Sequence, residues 1–458
     1  MSAASTRTAA EAFERRVRAV DELDLARVRQ TFSSLVHGEQ FVDLNACVRC
    51  GLCAEACHYY LAEPGPDATP ARKVQLVAAV FRRELTMLGR CLPGWVGARD
   101  LDPALVEEWI DELFGRCTMC GRCMLNCTAG IDVPAIVRAG RGALAAADLV
   151  PPELKAAVDA SVATGNSMGI TRDEWVETVA WMEQELQAEL GDPCARLPLD
   201  RAGADLLYTV NPREPKFFPL SLLATGAIFH AAGASWTLSS ENYDVTNYGM
   251  FAGDPATAAT FSGRLLAAAR ALGVRTLVLG ECGHGFQATR WLAPEWLGDR
   301  PGVEVRSVLE VVADYIRSGR VRLDPARVPG PVTLHDPCNL VRLGGIVEEP
   351  REILSRAVSR WVEMSPSREQ NFCCGGGGGQ LAMSRYAKRR LAAGRIKAEQ
   401  IRATGAAIVA APCHNCIDQL IELNREYQLG VQVKSICELV ADALVWPTKG
   451  ATIEEVAR

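Results

Sequence analysis

The chain has 458 residues and a formal net charge of −6 at pH 7, and 17 of its residues are cysteine. A chain of this length holds roughly three domains of ordinary size. The negative charge and the lack of a basic run argue against a nucleic acid as partner. The first thirty residues lack the apolar segment of a secretory signal, and no stretch approaches the roughly 18–20 apolar residues of a membrane-spanning helix. So many cysteines favour metal binding in a reducing compartment over disulfides.

Residues 1–39 are predicted to form a helical segment, because apolar side chains recur at three- and four-residue spacing over residues 6–36. A domain with repeated cysteines follows at residues 40–135. Its central helix is expected to begin with Thr69 as the N-cap and Pro70 in the first turn. Proline is tolerated there because the first N–H groups of a helix have no partner within the helix, so its missing N–H costs no hydrogen bond.

The domain at 40–135 contains one cysteine run twice, with the spacing C-x-x-C-x-x-C-x-x-x-C. In bacterial ferredoxins, three closely spaced thiolates of such a run bind one cubane [4Fe-4S] cluster and the fourth serves the other cluster. Two cubane clusters are therefore predicted, one bound by Cys47, Cys50, Cys53 and Cys127, and the other by Cys117, Cys120, Cys123 and Cys57. Zinc is the alternative, but a tetrahedral zinc site needs two pairs rather than two full runs.

Residues 136–200 are predicted to be a mainly helical connector, and the spacing of Trp175 and Trp181 is typical of core residues. Three cysteines have no partner at ligand spacing. Because free cysteine commonly behaves as a small buried apolar residue, we expect all three to be buried. They are Cys91, Cys194 and Cys437.

Beyond the connector the sequence repeats itself weakly, which predicts two copies of one α/β unit at 201–330 and 331–445. In each copy a short apolar run, typical of a buried strand, leads into a loop that carries Cys282 in the first copy and Cys413 in the second. The corresponding pairs are the apolar runs 276–279 and 407–411, the segments 247–250 and 371–374, and the helical stretches 220–232 and 351–361.

The second copy contains five clustered thiols: Cys338, Cys373, Cys374, Cys413 and Cys416. Adjacent cysteines in an extended chain point to opposite sides, so the central pair does not suit a zinc ribbon. Five glycines follow that pair at 375–379, and glycine lets the backbone approach a bulky group closely. The pattern favours a large metal–sulfur body.

This pattern resembles the cysteine-rich CCG domain, and the chain as a whole resembles the HdrD/DsrK/HmeD-type iron–sulfur subunits of heterodisulfide-reductase-like complexes. The resemblance implies an α+β/α/β multidomain fold, in which a helical ferredoxin-like dicluster domain precedes two pseudo-repeated α/β CCG-type units. It implies that the five cysteines of the second unit bind a noncubane [4Fe-4S] cluster. Because the first unit keeps only Cys282 of the five, we expect one noncubane cluster rather than two.

The resemblance also implies a cytoplasmic protein that lies at the inner face of the cell membrane through a partner, a cytochrome b-type quinone-reactive subunit. Electrons would pass through two cubane clusters and the noncubane cluster to a disulfide or trisulfide, carried by a small DsrC-like protein or a low-molecular-weight compound. Two alternatives stay open. The chain could be the iron–sulfur subunit of a flavin 2-hydroxyacid or glycerol-3-phosphate dehydrogenase, or a connector between a hydrogenase and quinone.

Four residues are candidates for catalysis. Cys282 corresponds to Cys413, and an exposed thiolate there, favoured by His284, could form a mixed disulfide with the substrate. Glu281 and His284 could handle its proton. His414, between two ligands, could donate to sulfur or pass protons. The alternative for Cys282 is a buried cysteine left over from the duplication, and the alternative for His414 is a structural loop histidine. His335 has the same two interpretations as His414: a donor to cluster sulfur or proton carrier, or a structural loop histidine.

Two shorter patterns in the second unit have competing interpretations. Gly377-x-Gly379-x-x-Ala382 formally fits a dinucleotide-binding fingerprint, but two cysteines precede it where a strand should be. Cys413-x-x-Cys416 alone would suit a thioredoxin-like redox pair. Its position after three other clustered cysteines favours metal ligation instead.

Overall fold

The computed structural model describes residues 3–298 and 302–446. Helices dominate the first 200 residues, and two small parallel sheets follow. The helices before the first sheet are Ala3–Arg18, Glu22–Leu35, Glu39–Ala46, His58–Ala62, Pro70–Leu85, Met87–Cys91, Pro93–Val96, Pro103–Trp109, Arg122–Leu125, Val133–Ala146, Pro152–Thr164 and Arg172–Leu190, with a 3-10 turn at Pro66–Ala68 and a π-helical turn at Ile110–Phe114. No helix within the described ranges is long and apolar enough to cross a membrane.

The N-terminal helical stretch divides into two helices because Asp21 caps the second one. Its side chain accepts a hydrogen bond from the Asp24 backbone N–H at 2.9 Å, and the Asp24 carboxylate accepts one from the Asp21 N–H in return. The prediction for Thr69 is confirmed. Its hydroxyl accepts from the Arg72 N–H at 3.1 Å and caps helix Pro70–Leu85.

The N-terminal helices and the cysteine-rich helices share one apolar core. Phe32, Val77 and Val137 lie within it, from helices Glu22–Leu35, Pro70–Leu85 and Val133–Ala146. The last of these helices continues past the boundary that we predicted at residue 135, because its apolar face packs on the other two. Side chains from Phe13 to Val36 are therefore part of the core of the dicluster domain.

Two four-stranded sheets follow, and all neighbouring strands within them are parallel. The strands of the first sheet are β1 Leu206–Thr209, β2 Trp236–Thr237, β3 Thr276–Leu279 and β4 Glu304–Ser307, in the order β2-β1-β3-β4. Those of the second are β5 Pro331–Leu334, β6 Arg360–Val362, β7 Ile408–Ala410 and β8 Gln432–Lys434, in the order β6-β5-β7-β8. The two orders are the same, which confirms the predicted α/β duplication.

Helices connect these parallel strands, as parallel pairing requires. In the first unit they are Arg213–Phe217, Pro219–Ala231, Tyr248–Ala252, Pro255–Ala271, Gly283–Phe286, Ala293–Leu297 and Val308–Arg317, with a π-helical turn at Gln287–Leu292. In the second they are Glu349–Ala357, Ala387–Ala393, Arg395–Thr404, His414–Tyr427 and Ile436–Ala443, with 3-10 turns at Pro325–Arg327, Arg368–Gln370 and Ser384–Tyr386. The helix predicted at 351–361 was too long, because Trp361 belongs to β6 and pairs with Val332.

The carboxyl ends of the two sheets face each other. The His414 N–H, just after β7, donates to the Glu281 carbonyl, just after β3, at 3.0 Å. Ligands of open α/β sheets bind beyond the carboxyl ends of the strands, where the strand order reverses. The loops after β5 and β7, which are neighbours at that reversal, carry Cys338 and Cys413. The topology thus brings two predicted ligand loops together.

Several burial predictions from the sequence were wrong. Trp175 is buried and stacks on Tyr243 with ring centroids 4.1 Å apart, but Trp181 on the same helix is half exposed. Among the lone cysteines, Cys437 is buried, whereas Cys91 and Cys194 are exposed. A thiol without ligand spacing can lie anywhere in a fold, and spacing alone cannot distinguish a core face from a solvent face.

Candidate metal centres

One buried cavity is lined by five cysteines that lie far apart in the sequence, namely Cys338, Cys373, Cys374, Cys413 and Cys416. The sulfur atoms of Cys374 and Cys416 are 3.6 Å apart. One ring nitrogen of His335 and these two sulfurs all lie within 4.8 Å of one another. The structure therefore brings together the whole predicted noncubane set, with a histidine beside it.

The local fold explains how each thiol enters this cavity. Cys413 is the N-cap of helix His414–Tyr427, and Cys416 lies in the first turn of that helix. Backbone N–H groups of the glycine run point at the adjacent pair: Gly375 donates to the Cys373 sulfur at 3.4 Å, and Gly376 to the Cys374 sulfur at 3.5 Å. Such donors stabilise the thiolate, the form in which cysteine binds metal.

The glycine run allows close approaches to other protein segments, and Gly377 also lines the five-cysteine cavity. A Cβ on Gly378 would lie 2.7 Å from the Thr118 Cα, and Gly378 has a φ of +62°. A Cβ on Gly376 would lie 2.9 Å from the Gln419 Cβ. The run is a series of turns without the strand and helix that a dinucleotide fingerprint requires. It joins the second unit to the dicluster domain.

A second cavity is lined by Cys57, Cys117, Cys120 and Cys123, the set predicted for one cubane cluster. Of the other set, Cys50 is exposed. Burial raises the pKa of Cys53, and the nearby thiols of Cys47 and Cys127 raise that pKa further, which places these three close together. Cys57 thus lies with three thiols of the second run, and Cys127 lies near Cys47 and Cys53 of the first.

The two buried cavities adjoin. Cys120, from the dicluster domain, packs against the buried cluster that contains Cys338, Cys373 and Cys374. Arg342 donates to the Cys120 carbonyl at 2.7 Å and, from the second unit, also binds the Asn371 carbonyl. Ligand-bearing loops of the two centres are therefore in direct contact.

Buried cations surround these cysteine sets. Arg141, Lys73 and Lys397 are among the largest fully buried side chains of the protein. Burial lowers the pKa of Arg141 to about 10 and that of Lys397 to about 8. Among the described residues, Arg141 bonds only to carbonyl oxygens, which leaves its charge without a carboxylate. Buried charge is costly unless it is compensated, and an anionic thiolate-bound cluster would compensate it.

Buried histidines lie beside the same thiols. Both ring nitrogens of His58 and of His335 have no hydrogen-bond partner within the part of the chain that the structure describes. His58 lines the cavity of the second cubane set, and His335 lines the five-cysteine cavity. Orphaned buried donors of this kind fit sulfur atoms of a bound cluster. The residues present therefore fit iron–sulfur clusters at both cavities.

The structure corrects one expectation for Cys282. Its side chain is completely buried, and burial raises its pKa well above the usual value. His284, whose Nδ1 lies 3.3 Å from the Cys282 sulfur, is neutral because burial lowers its pKa to about 3. Cys282 is thus neither exposed nor ionised. Its neighbours Gly283 and His284 line the five-cysteine cavity, so the thiol lies directly behind the wall.

The other candidate side chains form a buried polar group between the two units. The His414 Nε2 lies 3.4 Å from the Oε1 of Glu214, and both side chains are almost fully buried. Burial raises the pKa of Glu214 to about 8 and that of Glu281 to about 7. Sequence reasoning missed Glu214. The signal was present, because Pro212-Arg213-Glu214 after β1 occupies the same place as Pro337-Cys338-Asn339 after β5.

Two family models match the chain, a 4Fe-4S dicluster domain at residues 43–131 and a cysteine-rich domain (CCG) at residues 332–421. The first match includes all eight cysteines of the two repeated runs, and the second includes all five of the buried cavity.

Three relatives show the range of similarity. The Hdr-like menaquinol oxidoreductase iron–sulfur subunit of Archaeoglobus profundus is 28% identical, over 95% of this chain and 85% of the relative. A dihydromethanophenazine:CoB–CoM heterodisulfide reductase subunit of Methanosarcina barkeri is 27% identical, over 88% of this chain and 95% of the relative. The EtfAB:quinone oxidoreductase of Syntrophomonas wolfei is 24% identical, over 75% of this chain and 49% of the relative. The predicted resemblance to heterodisulfide-reductase-like iron–sulfur subunits is thereby confirmed, over most of the chain and in both cysteine-bearing domains.

Proposed function

We propose that this chain is the electron-transferring and catalytic subunit of a heterodisulfide-reductase-like complex, which links a quinone-reactive membrane partner to a disulfide or trisulfide substrate. The observation that carries this proposal is the packing of Cys120 against the five buried cysteines, because Cys120 also lines the neighbouring cubane-type cavity and so joins the two centres. When bound, two cubane clusters and one noncubane [4Fe-4S] cluster would supply one-electron transfer and the site of disulfide reduction.

The ligands are assigned from the cysteine spacing together with the two cavities. Cys47, Cys50, Cys53 and Cys127 would hold the first cubane cluster, and Cys57, Cys117, Cys120 and Cys123 the second. Cys338, Cys373, Cys374, Cys413 and Cys416 would hold the noncubane cluster. The buried cations Lys73, Arg141 and Lys397 would offset the negative charge of these groups.

Partners are proposed from the relatives. The Archaeoglobus relative is named as a menaquinol oxidoreductase subunit, and the Methanosarcina relative as a heterodisulfide reductase subunit. We therefore propose a cytochrome b-type quinone-reactive subunit as the membrane partner, at the inner face of the membrane. A DsrC-like protein or a low-molecular-weight disulfide would be the substrate.

Proton supply is the part of the reaction that the chain's own residues explain. Reducing a disulfide to two thiols takes two electrons and two protons, and the five-cysteine cavity is buried. With pKa values of about 8 and about 7, Glu214 is mostly protonated and Glu281 partly protonated near neutral pH. His414, which follows Cys413 in the chain, lies 3.4 Å from Glu214. The half-buried Glu438 accepts a hydrogen bond from the Ser435 N–H at 2.7 Å. Glu281 accepts one from the next backbone N–H, that of Ile436, at 2.8 Å. We propose that protons enter past Glu438 and are held at Glu281 and Glu214.

Cys282 remains a candidate for the mixed disulfide because it lies behind the cavity wall formed by Gly283 and His284. Its attack on a substrate disulfide would break the substrate S–S bond and form a disulfide between Cys282 and one substrate sulfur, while the Cys282 proton ends on the departing sulfur. The His284 Nδ1, 3.3 Å from the Cys282 sulfur, would orient the thiol. The burial of the thiol requires that wall to move when the substrate binds.

The test is an anaerobic assay in which a reduced viologen dye is oxidised by low-molecular-weight disulfides and by a DsrC-like protein. The expected result is dye oxidation that depends on the disulfide and disappears in Cys374→Ser. If no disulfide is reduced while the clusters remain fully reducible by the dye, the chain is a connector without thiol chemistry.

A second function is favoured by the similarity to EtfAB:quinone oxidoreductase. In that case the chain would pass electrons between a flavoprotein and quinone, and the five-cysteine cavity would serve only electron transfer. This function predicts reduction of the bound clusters by a reduced flavoprotein, with no disulfide-dependent turnover.

A further inference from the structure

Four large apolar side chains stand exposed in one short segment of the dicluster domain. The exposed fractions are 81% for Met87, 52% for Leu88, 51% for Leu92 and 79% for Trp95. Contiguous exposed apolar side chains of this size mark an interaction site, whereas isolated ones need no explanation. We call these four residues the Trp95 surface.

The Trp95 surface is held rigidly by arginines of the preceding helix. It lies on the short helices Met87–Cys91 and Pro93–Val96, which follow helix Pro70–Leu85. Arg82 Nη1 donates to the Val96 carbonyl at 3.1 Å, and Arg83 Nη1 donates to the Arg90 carbonyl at 3.2 Å. The apolar side chains are therefore presented to solvent by a fixed backbone, and their exposure is part of the folded structure.

The same segment is basic in a chain that is acidic overall. From Arg82 to Asp100 it contains four arginines, one glutamate and one aspartate, whereas the whole chain has a net charge of −6. Arg83 and Arg99 are paired with Asp100 and Glu108, and Arg82 bonds to carbonyl and amide oxygens. The Arg90 side chain bonds to the Glu84 backbone carbonyl and, among the residues that the structure describes, to no carboxylate. Cationic groups around exposed tryptophan and leucine are the combination that binds an anionic bilayer interface, since the ring and the chains enter the headgroup region while arginine meets phosphate.

We propose that the Trp95 surface inserts into the headgroup region of an anionic lipid bilayer, so that this chain itself contacts the membrane. The charge of the segment is complementary to anionic phosphates.

This contact would also orient the first cysteine run. Arg49, between Cys47 and Cys50, donates through Nε to the Gln75 Oε1 at 2.8 Å, and Arg82 Nη2 donates to the same oxygen at 3.0 Å. Arg82 in turn holds the Trp95 surface. One pair of hydrogen bonds therefore fixes the exposed Cys50 loop relative to the inserted side chains. The first cubane set would face the membrane, the side from which a quinone-linked partner delivers electrons.

The experiment is co-sedimentation of the intact, cluster-loaded chain with vesicles of phosphatidylglycerol and phosphatidylcholine, compared with phosphatidylcholine alone. We expect binding to the anionic vesicles, weakened by high salt because screening reduces the arginine contribution. Trp95→Ser should lower the vesicle partition coefficient about tenfold, through loss of one large apolar side chain from the interface. The control is Trp181→Ser, since that tryptophan is 49% exposed on the helix Arg172–Leu190, away from the basic segment.

Three results would overturn the proposal. One is equal binding of the intact chain to anionic and neutral vesicles, and another is undiminished binding of Trp95→Ser. The third is no binding of the intact chain to any of these lipid-only vesicles, which would make the Trp95 surface a protein-docking site. Because no turnover is measured, these results are independent of whether the chain reduces disulfides.

Discussion

Arg141 offers the sharpest test of how the two buried centres are held together. Its guanidinium makes five hydrogen bonds, all to backbone carbonyls and with donor–acceptor distances of 2.7 to 3.1 Å. The acceptors are Leu113 and Cys117 in the dicluster domain, Phe251 in the first α/β unit and Gly378 in the second. Replacement by glutamine removes most of these bonds and the buried charge together.

The expected loss of stability has two opposing parts. Each buried carbonyl left without a donor costs about 1–3 kcal/mol. Removing a buried cation recovers several kcal/mol of desolvation, although less where an anionic cluster compensates the charge. We expect Arg141→Gln to lower the free energy of unfolding of the cluster-loaded protein by about 2–4 kcal/mol.

The second expected effect is electrostatic. A unit charge about 7 Å away, at an effective dielectric constant of about 20, contributes about 2 kcal/mol. For a one-electron couple this is on the order of 100 mV. Because a cation favours the reduced, more negative cluster, Arg141→Gln should lower the reduction potential of the cubane cluster next to Cys117 by that amount.

The assay is an EPR-monitored redox titration combined with anaerobic urea unfolding. The matched control is Arg138→Gln, in the same helix, because Arg138 has no hydrogen bond or ion pair within the described ranges. Equal potentials and equal stability in Arg141→Gln and wild type would refute the reasoning. Equal shifts in the two variants would show that net charge, rather than the position of Arg141, is responsible.

Three further predictions concern the α/β units. Cys374→Ser should abolish disulfide reduction and retain both cubane EPR signals, since the eight cubane-type ligands belong to the dicluster domain; loss of those signals would show that the centres do not assemble independently. Glu214 binds a proton in the folded state up to about pH 8 but in the unfolded state only up to 4.5, so its contribution to stability falls as pH rises between these values. Glu214→Gln should therefore gain a few kcal/mol relative to wild type at pH 9 but little at pH 4.5, as measured by urea unfolding, and a gain that does not depend on pH would contradict the assignment. Cys282→Ser should keep its full iron content and lose most disulfide turnover, whereas the exposed Cys194→Ser should lose none; equal turnover in both would remove Cys282 from the reaction.

Much of the site was predictable because the ligand spacing is local. In a ferredoxin-type run, the first three cysteines are close enough to bind one cluster, and the fourth serves the other cluster. This spacing predicts that Cys57 joins the second run and Cys127 the first. The duplication was also visible, since the apolar runs before Cys282 and Cys413 both become the third strand of their sheets.

The residues that surround the ligands were not predictable in the same way. Arg141 lies 24 residues from Cys117 and 237 from Gly378 along the chain, and no local pattern indicates that its side chain meets both carbonyls. The burial of Cys282 likewise depends on how the two units meet, which only the packed structure determines. Glu214 became recognisable once the segments after β1 and β5 were aligned by structure.

Anaerobic iron and acid-labile sulfide analysis of the wild-type chain and of Cys374→Ser tests the central claim most directly. Three four-iron clusters on thirteen clustered cysteines predict about twelve iron atoms per wild-type chain and about eight in the variant. About eight in wild type, unchanged by the substitution, would contradict a cluster in the five-cysteine cavity.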